Sequence, residues 1–246
     1  MPEHHSANVS EVFSSIQGEG LYVGRRQVFV RFRGCNLRCR YCDTPDSRGD
    51  GPCRVEIEPG SGRFKTLRNP VDSDALLSAV GRLAGRVRHH SISLTGGEPL
   101  LHAGFLRQWL PRLPGGQQVH LETNGSLPDE LEQVVDLVDV VAMDVKLPSM
   151  TGQEACYGAH LRSLHAAAGR QVFVKVVFGD ATPNSELDEV ARIVARVDPV
   201  LPVVLQPVTG EGRPGALRIL SAQEYLSRKL ANVLVIPQTH KAMGCA

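Results

Sequence analysis

The 246-residue chain contains no run of about 18 apolar residues, so no segment reads as a membrane-spanning helix. Its opening, MPEHHSANVSEVF, lacks the apolar core of a secretory signal, and a cytoplasmic location is expected. Net charge is also nearly absent. The 27 Lys and Arg against 26 Asp and Glu leave +1, without the basic footprint that nucleic-acid binding needs. No internal repeat and no Pro/Gly-rich linker divides the chain, so a single domain over 1–246 is expected, with loop insertions near 46–71 and 147–157. Six cysteines, three of them crowded together, suit a metal or redox site in a reducing compartment better than a disulfide framework.

What is present is an alternation of short β-branched runs with segments of helical period. QVFVRF, SISLT, VHLET, VVAMDVK, VFVKVVF, VVLQP and VLVIPQ read as strands in chain order. Between them, Leu76, Leu77, Val80, Leu83, Ala84 and Val87 repeat helically after possible caps at Asp72 and Ser73. Leu187, Val190, Ala191, Val194 and Val197 do so after Asn184. Apolar strands joined through helices predict an α/β fold with a parallel sheet and right-handed crossovers. A full eight-stranded barrel takes about 250 residues. The stretches 46–71 and 147–157 are expected to use length without adding strands, beyond room for a short hairpin in the first, so an incomplete TIM-like barrel is predicted.

The segment RGCNLRCRYCDT holds Cys35, Cys39 and Cys42 within eight positions. A structural zinc site would need a fourth ligand, for which Cys53 is the only thiol at a finger-like distance. An iron-sulfur cube held by three cysteines instead leaves one iron open to a small molecule. Cys53, Cys156 and Cys245 otherwise read as bystanders. Several strands end in polar residues: Thr95-Gly96-Gly97-Glu98-Pro99, then Glu122-Thr123-Asn124, then Asp144 and Lys146, then Gln206 to Thr209. In a parallel barrel those ends face one mouth, where ligands bind.

The Cys-x3-Cys-x2-Cys spacing with Tyr41 before the last Cys resembles the signature of the radical S-adenosylmethionine (SAM) enzymes, and Gly-Gly-Glu-Pro resembles their stretch for the cofactor's methionyl amine. The opening Gln17-Gly18-Glu19-Gly20, Cys-Asp-Thr, Glu-Thr-Asn-Gly and the closing Gln-Thr-His-Lys at 238–241 are similar to the 7-carboxy-7-deazaguanine synthase family within that group. This resemblance implies ring contraction of 6-carboxy-5,6,7,8-tetrahydropterin to 7-carboxy-7-deazaguanine with loss of ammonia, toward 7-deazapurines such as queuosine. It also implies a homodimer, a 4Fe-4S cluster, SAM, Mg2+ and a flavodoxin or ferredoxin-type electron donor, the cofactor radical carrying the chemistry.

Carried over residue by residue, the resemblance assigns Cys35, Cys39 and Cys42 to the cluster and Thr44 to magnesium. Tyr41, Cys42, Asp43, Gly97, Asp144, Val145, Lys146, Gln206, Pro207, Val208 and Thr209 would contact SAM. Ile16, Gln17, Gly18, Arg31 and Thr95 would hold the pterin and its carboxylate, with Ala246 approaching through its C-terminal carboxylate. Arg31 has the planar fork that matches a carboxylate, and Thr44 offers one neutral oxygen of the kind magnesium accepts. Asp-Val-Lys stands where the family pattern has Ser-Pro-Lys, which puts the Asp144 side-chain contact in question. The 46–71 segment is expected to border the cluster and help dock the electron donor. A radical activating enzyme acting on a protein glycine and a non-catalytic zinc-binding module are the alternatives. The Gln-Gly-Glu-Gly opening speaks against the first, and a colourless protein would mark the second.

Overall fold

A computed structural model describes residues 5–44 and 49–245. The strands are β1 (Ser6–Ala7), β2 (Val9–Ile16), β3 (Arg26–Phe32), β4 (Cys53–Glu56), β5 (Phe64–Leu67), β6 (Val71–Asp72), β7 (Ser91–Gly96), β8 (Gln118–Thr123), β9 (Val140–Asp144), β10 (Gln171–Phe178), β11 (Val203–Pro207) and β12 (Val233–Val235). The helices are α1 (Ser73–Ala84), α2 (Ala103–Trp109), α3 (Pro128–Glu132), α4 (Pro148–Thr151), α5 (Tyr157–Ala166), α6 (Asn184–Val197), α7 (Ala216–Ser227) and α8 (Thr239–Met243).

Ten strands form one open sheet in the order β12-β11-β10-β9-β8-β7-β3-β2-β4-β5. From β3 to β12 the seven neighbours are all parallel, each adjacent to its successor among them, which is the winding of a barrel that has not closed. All seven expected strands are therefore present, although β9 stops at Asp144, short of Lys146. Helix α1 is capped as its sequence indicates, the Asp72 carboxylate accepting from the Asp74 and Ala75 amides.

Two expectations need correction. The segment VSEVFSSI, not read as a strand, forms β2 and pairs antiparallel with β3 from Glu11 to Ile16. The 46–71 stretch adds two strands to the sheet: β4 runs parallel to β2, and β5 folds back on β4. Cys53 and Val55 of β4 are fully buried in the core, so the segment is sheet as much as loop. The β4–β5 pair is the short hairpin for which the sequence left room; its joining the main sheet through β2 is what the sequence did not show. Residues 45–48 lie outside the described residues.

Period-two alternation sorts each parallel strand into two faces. Val28, Val30, Ile92, Leu94, Leu121, Val141, Met143, Val174, Val176, Val203 and Leu205 face the helices and build the main core with Leu76, Trp109, Leu187 and Val190. The other face, lining the inside of the curve, holds a small apolar floor of Val140, Ala142, Phe173 and Val204, with Tyr22 packed against it. The loop 17–25 crosses this inner face. Gln17 reaches Glu122 on β8, and the Tyr22 hydroxyl donates to Gln171 Oε1 on β10 at 2.7 Å.

Candidate active site

Above the floor, the inner face turns polar at the C-terminal end of six successive strands. Arg31 on β3 stands opposite Thr95 on β7, Glu122 follows on β8, Asp144 on β9 stands opposite Lys175 on β10, and Gln206 lies on β11. All six line one cavity of about 410 Å³. These six share the inward parity of their strands, which fixes which side chains can meet, and β3, β7 and β8 carry further inward polar residues in Gln27, Ser91, Ser93 and His120.

The cysteine loop closes one side of this cavity, with Cys35, Cys39, Cys42, Tyr41, Asp43 and Thr44 all lining it. Burial raises the Cys35 and Cys39 thiols above the usual range. Among the described residues, the three thiols do not form a group whose donor atoms all lie within 4.8 Å of one another. Tetrahedral zinc with Zn–S bonds near 2.3 Å holds its thiolates about 3.8 Å apart. Three free thiols on one loop are the donor set of a four-iron cube that leaves one iron open. Cys53 is no fourth ligand: it sits in the core with no exposure, and burial pushes its thiol up to about 12.

Other features fit a polar organic cofactor beside that loop. Asp144 Oδ1 and Gln206 Oε1 are buried without a hydrogen-bond partner, in residues that line the cavity, and so call for donors from a ligand. At Gly97 an added Cβ would lie 1.9 Å from the Gly34 carbonyl oxygen, so only glycine lets this strand end pass against the cysteine loop. Lys146 Nζ donates to Asp144 Oδ2 at 2.9 Å and to the Tyr41 hydroxyl at 3.1 Å. Burial opposes its charge, yet Asp144, with Tyr41 and Cys39 beside it, holds the Lys146 pKa well above its ordinary value. Asp144 therefore has a definite place: it orients Lys146 and shares its inner-face level with Lys175.

On the far side the two chain ends meet. Gln17 Nε2 donates to Glu122 Oε1 at 2.8 Å, and Thr95 Oγ1 donates to Glu122 Oε2 at 2.8 Å. Glu19 is ion-paired with Lys175 and accepts from Gln238 Nε2 at 2.7 Å. Gln238 also donates to Asp43 Oδ2 at 2.9 Å and accepts from Thr209 Oγ1 at 2.8 Å. Gly18 leaves room for the closing motif, since its Cβ would lie 2.1 Å from His240 Nδ1. The Arg31 guanidinium is steadied by Glu11 at 3.0 Å and lies over the Phe13 ring. Donor atoms of Glu19, Asp43 and His240 all lie within 4.8 Å of one another, beside Thr44 at the mouth, a mainly oxygen set that suits a hard cation.

The cavity thus gathers Ile16, Gln17, Gly18, Arg31, Thr95, Gly97, Asp144, Lys146, Gln206, Val208 and Thr209 with the cysteine loop. Val145 and Pro207 do not line it; the Val145 side chain packs into the core, which leaves its backbone for any ligand contact. Ala246 lies outside the described residues. The opening and closing motifs contain Glu19, Gln238 and His240 but gave them no role, and Lys175 was missed. Lys175 had a legible signal, being the one charge within QVFVKVVF, where it has 5% exposure. Burial works against that charge, but Asp144, Glu19 and Glu122 hold the Lys175 pKa above its usual value.

Residues 29–170 match the Radical SAM superfamily. A protein of Geobacter sulfurreducens named 7-carboxy-7-deazaguanine synthase is 45% identical over 243 residues, covering 97% of each chain. One of Methanothermobacter thermautotrophicus with the same name is 35% identical, again over 97% of each. Among solved structures, that of QueE from Escherichia coli superposes with a TM-score of 0.61 over 94% of each chain, at 19% identity, and shares the fold.

Proposed function

The chain belongs to the radical SAM superfamily and, within it, to the 7-carboxy-7-deazaguanine synthases, and on that premise we propose how its cavity serves the reaction. The substrate is 6-carboxy-5,6,7,8-tetrahydropterin, which undergoes ring contraction to 7-carboxy-7-deazaguanine and loses ammonia. The observation that carries this reading is the single cavity shared by three unpaired cysteines, orphaned buried acceptors and an anion-matching Arg31.

Cys35, Cys39 and Cys42 hold the 4Fe-4S cluster. Gly97, Asp144, Lys146 and Gln206 to Thr209 hold SAM, with Tyr41 and Asp43 along it. When bound, cluster and SAM supply one-electron, hydrogen-abstracting chemistry, and the protein supplies orientation and dryness. Gln17, Gly18, Thr95 and Arg31 position the pterin. The Glu122 carboxylate faces the same space and is fixed by three donated hydrogen bonds, from Gln17, Ser93 and Thr95, with lone pairs left to accept from ring N–H groups. Thr44 and its carboxylate neighbours hold magnesium, which supplies charge stabilisation. Lys175 pairs with Glu19 and helps hold the Asp144 carboxyl below its usual pKa. The ring of Tyr22 against Phe173 and the tail around Gln238 and His240 exclude water from below and from the side.

The electron comes from a flavodoxin or ferredoxin-type carrier, approaching where Cys42, Arg38 and Arg40 are exposed on one loop. The chain acts as a homodimer; Leu217 and Leu220 on α7, 85% and 61% exposed, offer apolar surface for it, and a monomeric mass by light scattering would refute this. The deciding experiment is anaerobic. Purified protein should be brown, Cys39→Ala should bleach it, and reduced protein with SAM and the carboxytetrahydropterin should yield 7-carboxy-7-deazaguanine. A brown protein giving no product above background would sink the substrate assignment, and a colourless one the cluster itself.

A further inference from the structure

The Glu-Thr-Asn-Gly turn after β8 touches the cysteine loop through a side chain to which no role in the cavity has been given. Asn124 is 6% exposed. Its amide closes a ring of hydrogen bonds: Nδ2 donates to Asn36 Oδ1 at 2.9 Å, Asn36 Nδ2 donates to Ser126 Oγ at 2.8 Å, and Ser126 donates to Asn124 Oδ1 through its amide at 3.0 Å and its hydroxyl. Because Oδ1 accepts twice from Ser126, the orientation of the amide is fixed and Nδ2 must be the atom facing the cysteine loop. That nitrogen lies 3.9 Å from Cys35 Sγ, at the long end of an N–H···S contact, and the Leu37 amide donates to the same sulfur at 3.4 Å.

The ring is anchored from behind. The Asn124 amide donates to Glu98 Oε2 at 2.7 Å, and Thr123 Oγ1 and the Leu100 amide donate to Glu98 Oε1 at 2.9 and 3.1 Å. Glu98 has no exposure, and its own amide donates to Gly34 O at 2.8 Å. Glu98 thus ties the β8 turn to its own strand end through its carboxylate and to the start of the cysteine loop through its backbone amide. A donor aimed at a ligating sulfur favours the reduced, more negative cluster.

Resting on the cluster assignment above, we propose that Asn124 is a positioning residue that sets Cys35 in place and, by donating to its sulfur, raises the reduction potential of the bound cluster. The test is a redox titration of the reconstituted protein, followed by the electron paramagnetic resonance of the reduced cluster. Asn124→Asp keeps the acceptor for Ser126 but puts an anionic oxygen where the donor was. At a solution potential equal to the wild-type midpoint, it should lower the ratio of reduced to oxidised cluster about tenfold, roughly 60 mV for one electron. Asn124→Ala should shift it the same way by less. Ser126→Ala loosens the ring without touching the sulfur and should leave the midpoint in place.

Wild-type midpoints in both Asn124 variants, with iron content intact, would overturn the proposal, as would an equal shift in Ser126→Ala. Should neither Asn124 variant retain its cluster, protein labelled with 15N at asparagine side-chain amides decides. In an Asn36→Ser background, hyperfine coupling of that label to the reduced cluster supports the contact, and its absence overturns it. None of these readings depends on which pterin is turned over.

Discussion

Replacing Lys175 with methionine removes an ammonium and keeps most of the side-chain volume. In the structure this ammonium pairs with Glu19, lies 3.7 Å from Asp144 Oδ2, and counts Glu122 among the charges that act on it. Removing one partner of a buried pair costs roughly 3–5 kcal/mol, mostly for the charge left behind. Glu19 and Asp144 keep 18% side-chain exposure toward the cavity, so water can partly replace the lost partner and the lower end, about 3 kcal/mol, is expected. For a chain of this length that is a fall in Tm of about 6–12 °C.

The pH dependence gives the sharper check. Burial works against ionised Asp144 and Glu122, but Lys146 and Lys175 beside Asp144, and Lys175 and His120 with the Gln17 and Thr95 hydrogen bonds at Glu122, together hold both carboxyl groups below their usual pKa. Without Lys175 those groups bind protons more readily in the folded state. As pH falls from 7 to 5 the variant is relieved of buried charge, and the gap in Tm between wild type and variant should narrow. Lys175→Met with Asp144→Asn should cost less than the sum of the two single changes. The assay is thermal unfolding followed by circular dichroism on the metal-free chain. A fall in Tm below about 2 °C at pH 7, or a gap that does not narrow at pH 5, would refute the reasoning.

Gly97→Ala should abolish SAM binding in an equilibrium binding assay, because its Cβ meets backbone at Gly34 O that cannot swing aside; wild-type affinity would contradict the close approach. Gly18→Ala should displace His240 and raise the KM for the pterin at least tenfold with a small change in Tm, and an unchanged KM would show that the closing motif does not reach the substrate. His120 and His160 are held neutral by burial, their pKa lowered to about 4. The unfolded chain takes up those protons first, so stability is full above pH 6.5 and is lost as pH falls toward 4, by up to about 3 kcal/mol per histidine. His160→Gln should reduce the slope of stability against pH in that window by about one proton, and an identical slope would count against it.

The alternation of apolar strands and helices already fixes a wound parallel sheet, because burial on both faces leaves a continuous β-branched run that survives any detail of packing. The three cysteines, and the polar residues that end the strands, are equally local: strand parity sends Arg31, Thr95, Glu122, Asp144 and Gln206 to one side whatever the loops do. Cys53 shows where local reading stops. Its spacing from Cys42 admits a ligand, and only the pairing of β4 with β2 takes it into the core.

What tertiary structure alone decided is which distant segments share the mouth. Gln238 bridges Glu19 and Asp43 across 219 and 195 residues of chain. Nothing in either motif specifies the other; the meeting depends on how far the sheet curls before it stops, which is set by twist and packing summed over ten strands. The same holds for Lys175. Its place in an apolar strand was visible in the sequence, but its carboxylate partners came from β9 and from the loop that crosses the inner face. Strand identity follows from neighbours a few residues away, whereas the assembled site follows from curvature, a property of the whole sheet.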